Sequence, residues 1–268
     1  MHQPPFIALM TDFGLEDAFV GVMKGVIASI CRSARVIDLT HAISAQNVRQ
    51  AAFHLDRSVS YFPEETIFVC VVDPGVGTAR RAIGVEAGPY RFVAPDNGLL
   101  TPIFERWPDA RCHELTNATY QLPNKSATFH GRDLFSPAAA HLAAGVPLDA
   151  FGPAIALPDC QRIELFRNRP LDDDDDGNGW QGEIIATDHF GNLITTLEAG
   201  MIADGGIWTV TVGNAPPLQI VRTYGEVQTG QPLAYAGSSG MIEIAIRNGN
   251  ASKELGVSEG DAVEVRRR

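Results

Sequence analysis

Apolar and polar positions follow two different rhythms along the chain, and the change falls near residue 170. In the first part, short apolar runs alternate with amphipathic segments. Residues 6–10 read as a strand, and 17–31 as a helix with apolar side chains at helical spacing. Residues 36–39 form a second strand, 48–59 a second helix, and 66–72 a nearly unbroken apolar third strand. Two more strands follow at 82–85 and 91–94, and 133–144 is an Ala-rich helix closed by Gly145. This alternation predicts an α/β domain, a mixed and mostly parallel sheet covered by helices.

Beyond residue 180 the strands are short and separated by turn residues: 182–187, 192–197, 208–212, 218–221, 241–246 and 262–265, with no helix expected. That pattern predicts a small antiparallel β-barrel. Between the two parts, Asp172 to Asp176 are consecutive aspartates followed by Gly-Asn-Gly. Packed like charges repel and stay solvated, so 166–179 reads as an acidic linker rather than a calcium loop, whose ligands would alternate with other residues. The expected domains are 1–165 and 180–268.

Composition narrows the function classes. A net charge of −11 over 268 residues, without a basic cluster, disfavours nucleic acid as partner, because such binding needs Lys and Arg against phosphates. Cys31, Cys70, Cys112 and Cys160 are far apart in sequence and read as buried free thiols. Neither a signal-like N-terminus nor an apolar run of spanning length is visible, so a cytoplasmic protein with no membrane partner is expected.

Two carboxylates stand where strands stop: Asp12 in "TDFG" and Asp73 in "VVDPGVGTARR". Ligands of open α/β sheets bind beyond the carboxyl ends of parallel strands, so the pair points to one crevice. Either aspartate alone would read as a turn or cap residue, and Asp12 with Glu16 could cap the next helix. "TDFG" has too little chain before it for a kinase lobe, and "GVGTAR" lacks the third glycine of a dinucleotide loop. His130, in the glycine-bearing loop "TFHGRD", can serve as acid, base or hydrogen-bond donor, and Asp133 is placed to cap the helix after it. His141 reads as a packed helix residue. His2, His41, His54 and His113 have no companions at metal-ligand spacing, so no metal or cofactor is expected. The turns "TDHFGNL", with Asp188 and Asn192, and "GSSGMIEIAIRNGNA", with Ser238, Ser239, Arg247 and Asn248, taken singly read as plain β turns.

Taken together, "TDFGLEDAFVGVMKGVI", "VVDPGVGTARR", "FVAPDNGLLTPI", "TFHGRDLFSPAAAHLAAGVPL", "DHFGNLITTL" and "GSSGMIEIAIRNGNA" run in order over nearly the whole chain. They resemble the S-adenosylmethionine hydrolases that add hydroxide to the adenosyl group, relatives of fluorinase and chlorinase enzymes. The resemblance implies that Asp73, Arg80 and His130 handle the attacking water and that Asp12 grips the ribose hydroxyls. It places Asp17 and Asp188 near the methionine end, Asp188 against the ammonium. Asn192 is implied to touch adenine, Ser238 the methionine carboxylate, and Asn248 to lie beside the adenine in a segment that departs from the family pattern. It also implies a homotrimer with each site shared between neighbouring subunits.

The chemistry expected is in-line attack of water at the ribose C5′, giving adenosine and methionine. The sulfonium leaves as a neutral thioether, so no general acid and no metal are required. An aspartate of ordinary pKa, near ~3.9, is a weak base, so Asp73 is expected to orient the water and take its proton late, with Arg80 and His130 biasing it toward hydroxide. A halogenase would lack the Asp–Arg–His set. A non-catalytic sensor of S-adenosylmethionine or adenosine would need only the anchors, and a phosphoesterase built on Asp12 and Asp73 would depend on metal.

Overall fold

The computed structural model describes residues 4–171, 179–202 and 205–268. The aspartate run read as a linker lies outside the described residues. Contacts divide the chain into two compact units, Met1–Leu165 and Phe166–Arg268.

The first unit runs β1 (Phe6–Thr11), α1 (Phe19–Ile30), β2 (Arg35–Thr40), α2 (Val48–Ser58), β3 (Ile67–Val71), β4 (Ala82–Ala87), β5 (Tyr90–Pro95), α3 (Thr101–Arg106), β6 (Arg111–Glu114), α4 (Ser136–Ala143) and β7 (Ala154–Ile155). Its sheet has the order β2-β1-β3-β5-β4-β6-β7. The first four strands in that order are parallel, and β4, β6 and β7 extend the sheet antiparallel. Successive side chains of β1 and β3 enter opposite faces. Ala8, Met10, Phe68 and Cys70 pack with α2 and α3, while Ile7, Leu9, Ile67 and Val69 pack with α1 and α4. A strand buried on both faces explains the unbroken apolar run around residue 70.

Helix α1 buries Val20, Met23 and Ile27 at helical spacing, but Ala18 stands at its N-cap without a side-chain bond. Neither Asp12 nor Glu16 caps it. The helix predicted over 133–144 also differs. The chain makes a π-helical turn at Gly131–Phe135 and only then enters α4. Asp133 therefore lies inside a turn and does not cap. Its carboxylate accepts from Ser126 N at 2.7 Å and from Arg132 Nε at 2.6 Å. Ser136 closes the turn, its backbone N–H and its hydroxyl both donating to Gly131 O. Such turns widen a helix locally and recur at functional sites.

The second unit runs β8 (Arg169–Pro170), β9 (Gly179–Thr187), β10 (Leu193–Glu198), β11 (Trp208–Val212), β12 (Leu218–Val221), β13 (Pro232–Ala236), β14 (Met241–Ile246), α5 (Ala251–Leu255) and β15 (Ala262–Arg267). The order β10-β14-β13-β12-β11-β15-β9 closes through pairing of β9 with β10, giving a seven-strand barrel with β8 appended to β9. Closure leaves no open edge in the ring. Ile184, Leu193, Val210, Ile242, Ile244 and Val263 fill it. Several features depart from the expected pattern, among them β13, a strand the sequence did not suggest. The β12–β13 pair is parallel. Residues 251–255 are helical, because Asn250 accepts from Lys253 N and Gly256 ends the turn in the left-handed region.

All four cysteines are buried and free. Distance in sequence misleads for one pair, since Cys112 and Cys160 bring their sulfurs to 3.7 Å. Histidines read as structural find ordinary partners: His141 packs on Tyr120 with centroids 5.0 Å apart, and His113 Nδ1 lies 2.9 Å from Gly152 O. Among the described residues no helix is long and apolar enough to cross a membrane.

Candidate functional site

In the first unit a cavity of about 340 Å³ opens beyond the carboxyl ends of β1 and β3, lined by Asp12, Asp73 and His130 among others. Asp12 directly follows β1 and Asp73 lies two residues past β3. The two strands pair in parallel with Thr11 opposite Val71. The fold itself therefore delivers both carboxylates to one place. Asn97 Nδ2 braces that strand end by donating to Val72 O at 2.9 Å.

After Asp73 the chain turns sharply, with Val76 N bonded to Asp73 O and Thr78 N to Gly75 O. A side chain at Gly75 would meet Arg80 Cγ at 3.0 Å. Gly77 has φ +78°, and its Cβ would meet Ala127 O at 2.9 Å. The glycines thus let the turn close on Arg80 and lie against the segment leading to His130.

Arg80 is the hub of the site. Its Nε donates to both oxygens of Asp73, at 2.9 Å each, and one terminal nitrogen, Nη2, also donates to Asp73 Oδ2. The same terminal nitrogen lies 2.8 Å from His130 Nδ1. The guanidinium carbon stands 5.2 Å from the Phe135 ring centroid. The Asp73 and Arg80 side chains are only 5% and 10% exposed, so water screens the pair little. A guanidinium can only donate, so His130 Nδ1 must accept and the ring proton of the neutral form sits on Nε2. Burial first, and then the charge of Arg80, hold the His130 pKa below the usual imidazole value. The ring is neutral at neutral pH.

Asp12 Oδ2 accepts from the backbone N of Gln46 at 2.7 Å, a residue held at φ +65°. Thr11, beside it, is fixed from below: its Oγ1 lies 2.8 Å from His41 Nδ1, whose Nε2 lies 3.0 Å from Asp38. Phe13, Phe19 and Phe129 also line the cavity, edge to face, with centroids 6.0, 6.0 and 5.1 Å apart. Sequence reasoning did not single out these rings. The available signal was their position beside Asp12 and His130 in "TDF" and "TFH", together with Phe19 being 44% exposed on a helix whose buried face is already complete. Asp17 is exposed and does not line the cavity.

The remaining predicted residues belong to the second unit. Asp188 Oδ1 accepts from Phe190 N and Asn192 N, and its Oδ2 from Asn192 Nδ2, all at 2.8 Å. Gly191 takes φ +86° there, and a Cβ would meet the Asn250 amide at 2.2 Å. Ser238 is exposed at the β13–β14 turn. Asn248 is exposed, at φ +59°, with Nδ2 3.5 Å from Thr229 Oγ1. Asp188 and Asn192 are thus joined directly, while no bond joins Ser238 or Asn248 to them among the described residues. Among those residues, too, no three His, Cys, Asp or Glu side chains gather as a metal-binding group.

Comparison with known proteins gives matches over both units. Residues 7–152 match the SAM hydroxide adenosyltransferase N-terminal domain, and residues 182–264 the C-terminal domain of the same name. A Thermus thermophilus protein named (R)-S-adenosyl-L-methionine hydrolase is 40% identical, over 97% of this chain and 98% of its own. A fluorinase from Actinopolyspora mzabensis is 27% identical, over 99% and 98%. A solved structure of an uncharacterized protein from Thermotoga maritima superposes with a TM-score of 0.87 at 37% identity, over 97% of this chain and all of that one.

Proposed function

Because the chain belongs to the SAM hydroxide adenosyltransferase family, we propose that it hydrolyses S-adenosyl-L-methionine to adenosine and L-methionine, water adding at the ribose C5′. Three relatives named hydrolase stand at 39–40% identity along nearly the full length, whereas a fourth, at 29%, and the fluorinases, at 26–28%, are more distant. The observation that carries the mechanism is the coupling of Asp73, Arg80 and His130 beside one cavity.

In this reading His130 donates through Nε2–H to the water oxygen and does not act as base, since its Nδ1 is engaged by Arg80. Asp73 accepts a water proton. The proton is lost only as the C–O bond forms, when the oxygen has become strongly acidic. The sulfonium departs as neutral methionine, so one positive charge at sulfur is replaced by a proton carried to Asp73 and then to solvent. The apolar rings of Phe13, Phe19 and Phe129 give the cavity an apolar wall, which in this reading favours a reaction that disperses charge. Asp12 is assigned to the ribose hydroxyls, Asp17 and Asp188 to the methionine end, Asn192 and Asn248 to the adenine side, and Ser238 to the methionine carboxylate. The reaction is proposed to need no metal and no cofactor, because the leaving group is already activated. We assign the protein to the reduced cytoplasm, in keeping with its buried free thiols, and to a homotrimer.

Incubation with S-adenosylmethionine, with chromatography of the nucleoside, tests this reading. Equimolar adenosine and methionine are expected, unaffected by chelator. Methylthioadenosine as product, or loss of activity with EDTA, would overturn it.

A further inference from the structure

In the barrel unit a line of hydrogen bonds joins two carboxylates. Glu243, on β14 and 8% exposed, accepts from Tyr235 Oη at 2.6 Å and from Ser239 Oγ at 3.2 Å. Space for its carboxylate exists only because residue 237 is glycine, whose Cβ would fall 1.9 Å from Glu243 Oε1. The hydroxyls of Tyr235 and Tyr224 are 2.5 Å apart, and Asn192 Nδ2 lies 3.3 Å from Tyr224 Oη. At the far end the same nitrogen donates to Asp188.

The directions of these bonds follow from their ends. A carboxylate only accepts, so Tyr235 commits its one proton to Glu243. Burial first, and then Glu243, raise the Tyr235 pKa, which keeps that proton in place. The Tyr235 oxygen must then accept from Tyr224, and the Tyr224 oxygen from Asn192. Asp188 takes the second amide proton. Both N–H groups of Asn192 are thereby occupied, and its Oδ1 is left with no partner among the described residues. That oxygen is not among the sealed, unpartnered polar atoms. It is an acceptor, held in one orientation from two sides.

We propose that Glu243, Tyr235 and Tyr224 are positioning residues that fix the polarity of the Asn192 amide, so that the site takes a 6-amino purine and rejects a 6-oxo purine. An exocyclic amine offers a proton to Oδ1, whereas a 6-oxo group would set acceptor against acceptor. The inference rests on the reading that an adenosyl group binds at Asn192, and it adds the source of base selectivity.

Calorimetric binding of adenosine and inosine to the full chain tests it without requiring turnover. The unmodified protein is expected to prefer adenosine by about tenfold or more, the scale of an unmade hydrogen bond in a built site. Tyr224→Phe keeps the ring packing against Tyr235 and removes the acceptor, so the preference should fall several-fold. Tyr235→Phe leaves the Tyr224 proton unclaimed and able to turn toward Asn192, so it should erode the preference from the other end. Melting temperatures establish that each variant is folded. In an Asn192→Ala background, Tyr224→Phe should change the ratio no further, because the two act through one amide. An unchanged adenosine-to-inosine ratio in both phenylalanine variants overturns the proposal. So does an effect of Tyr224→Phe that persists undiminished without Asn192, or a protein with no preference at all. A protein that prefers adenosine yet leaves S-adenosylmethionine intact would instead refute the hydrolase reading and leave this inference standing.

Discussion

Replacing Arg80 by lysine separates the charge of the hub from its shape. The arginine uses Nε on both Asp73 oxygens and one terminal nitrogen on Asp73 and His130 together. Lysine keeps the positive charge but brings one ammonium on a flexible stem, which holds either partner and not both. At least one charge-assisted hydrogen bond, worth about 1.5–3 kcal/mol, is therefore lost. With the Asp73 and Arg80 side chains 5% and 10% exposed, little solvent replaces it. A loss of about 2.7 kcal/mol, felt where the water is aligned, corresponds to a fall of roughly a hundredfold in kcat. KM should move by less than about threefold, because Arg80 is assigned to the water machinery rather than to substrate. Initial rates of adenosine release over a range of S-adenosylmethionine concentrations give both constants, and a melting curve checks folding. A kcat within about threefold of the parent, or a loss lying wholly in KM, would refute the reasoning.

Three further outcomes follow from the same geometry. Protonating His130 sets a second cation against Arg80 and turns its Nδ1 from acceptor to donor. Its folded pKa lies below the unfolded value near ~6.5, so the stability and activity of the neutral form are complete above that pH and are lost as pH falls through the folded value. A pH–kcat/KM profile should have its acid limb below pH ~6.5, and Arg80→Ala, by removing the neighbouring charge, should shift that limb upward; a limb above ~6.5 in the parent contradicts this. Asp12→Ala and Asp188→Ala should raise KM about tenfold or more with smaller effects on kcat, since each deletes a polar anchor, and a loss confined to kcat would misplace them. For the trimer, purified mixed oligomers of Asp73→Asn and Asp188→Ala chains, assayed at S-adenosylmethionine well below the raised KM of Asp188→Ala, should be more active than the two parents assayed separately, with no gain if every site is built from one chain.

The sequence was most legible where physics is local. The period of apolar residues marked β1, β3, α1 and α2, and the aspartates at strand ends marked the crevice, because parallel strands of an α/β sheet end on one side. Asp73, Arg80 and His130 were grouped only by the family resemblance, and the place of Arg80 between Asp73 and His130 appears only in three dimensions. Elements set by closure were less visible. Strand β13 begins at Pro232, a residue that argues against a strand, and is held by its neighbours β12 and β14. Asp133 looked like a cap because aspartate before an apolar helix usually is one, but the π-helical turn moved the helix start past it. The pairing of Cys112 with Cys160, and the Tyr224–Tyr235–Glu243 line, join residues from separate segments that no spacing rule links.

The central claim is that the oxygen of a water molecule held by Asp73, Arg80 and His130 ends on the ribose C5′. Turnover of S-adenosylmethionine in ¹⁸O-water, with mass spectrometry of the products, tests it most directly. The account predicts that adenosine carries one ¹⁸O atom at its 5′ hydroxyl while methionine stays unlabelled. Unlabelled adenosine, or label found in methionine, would contradict it.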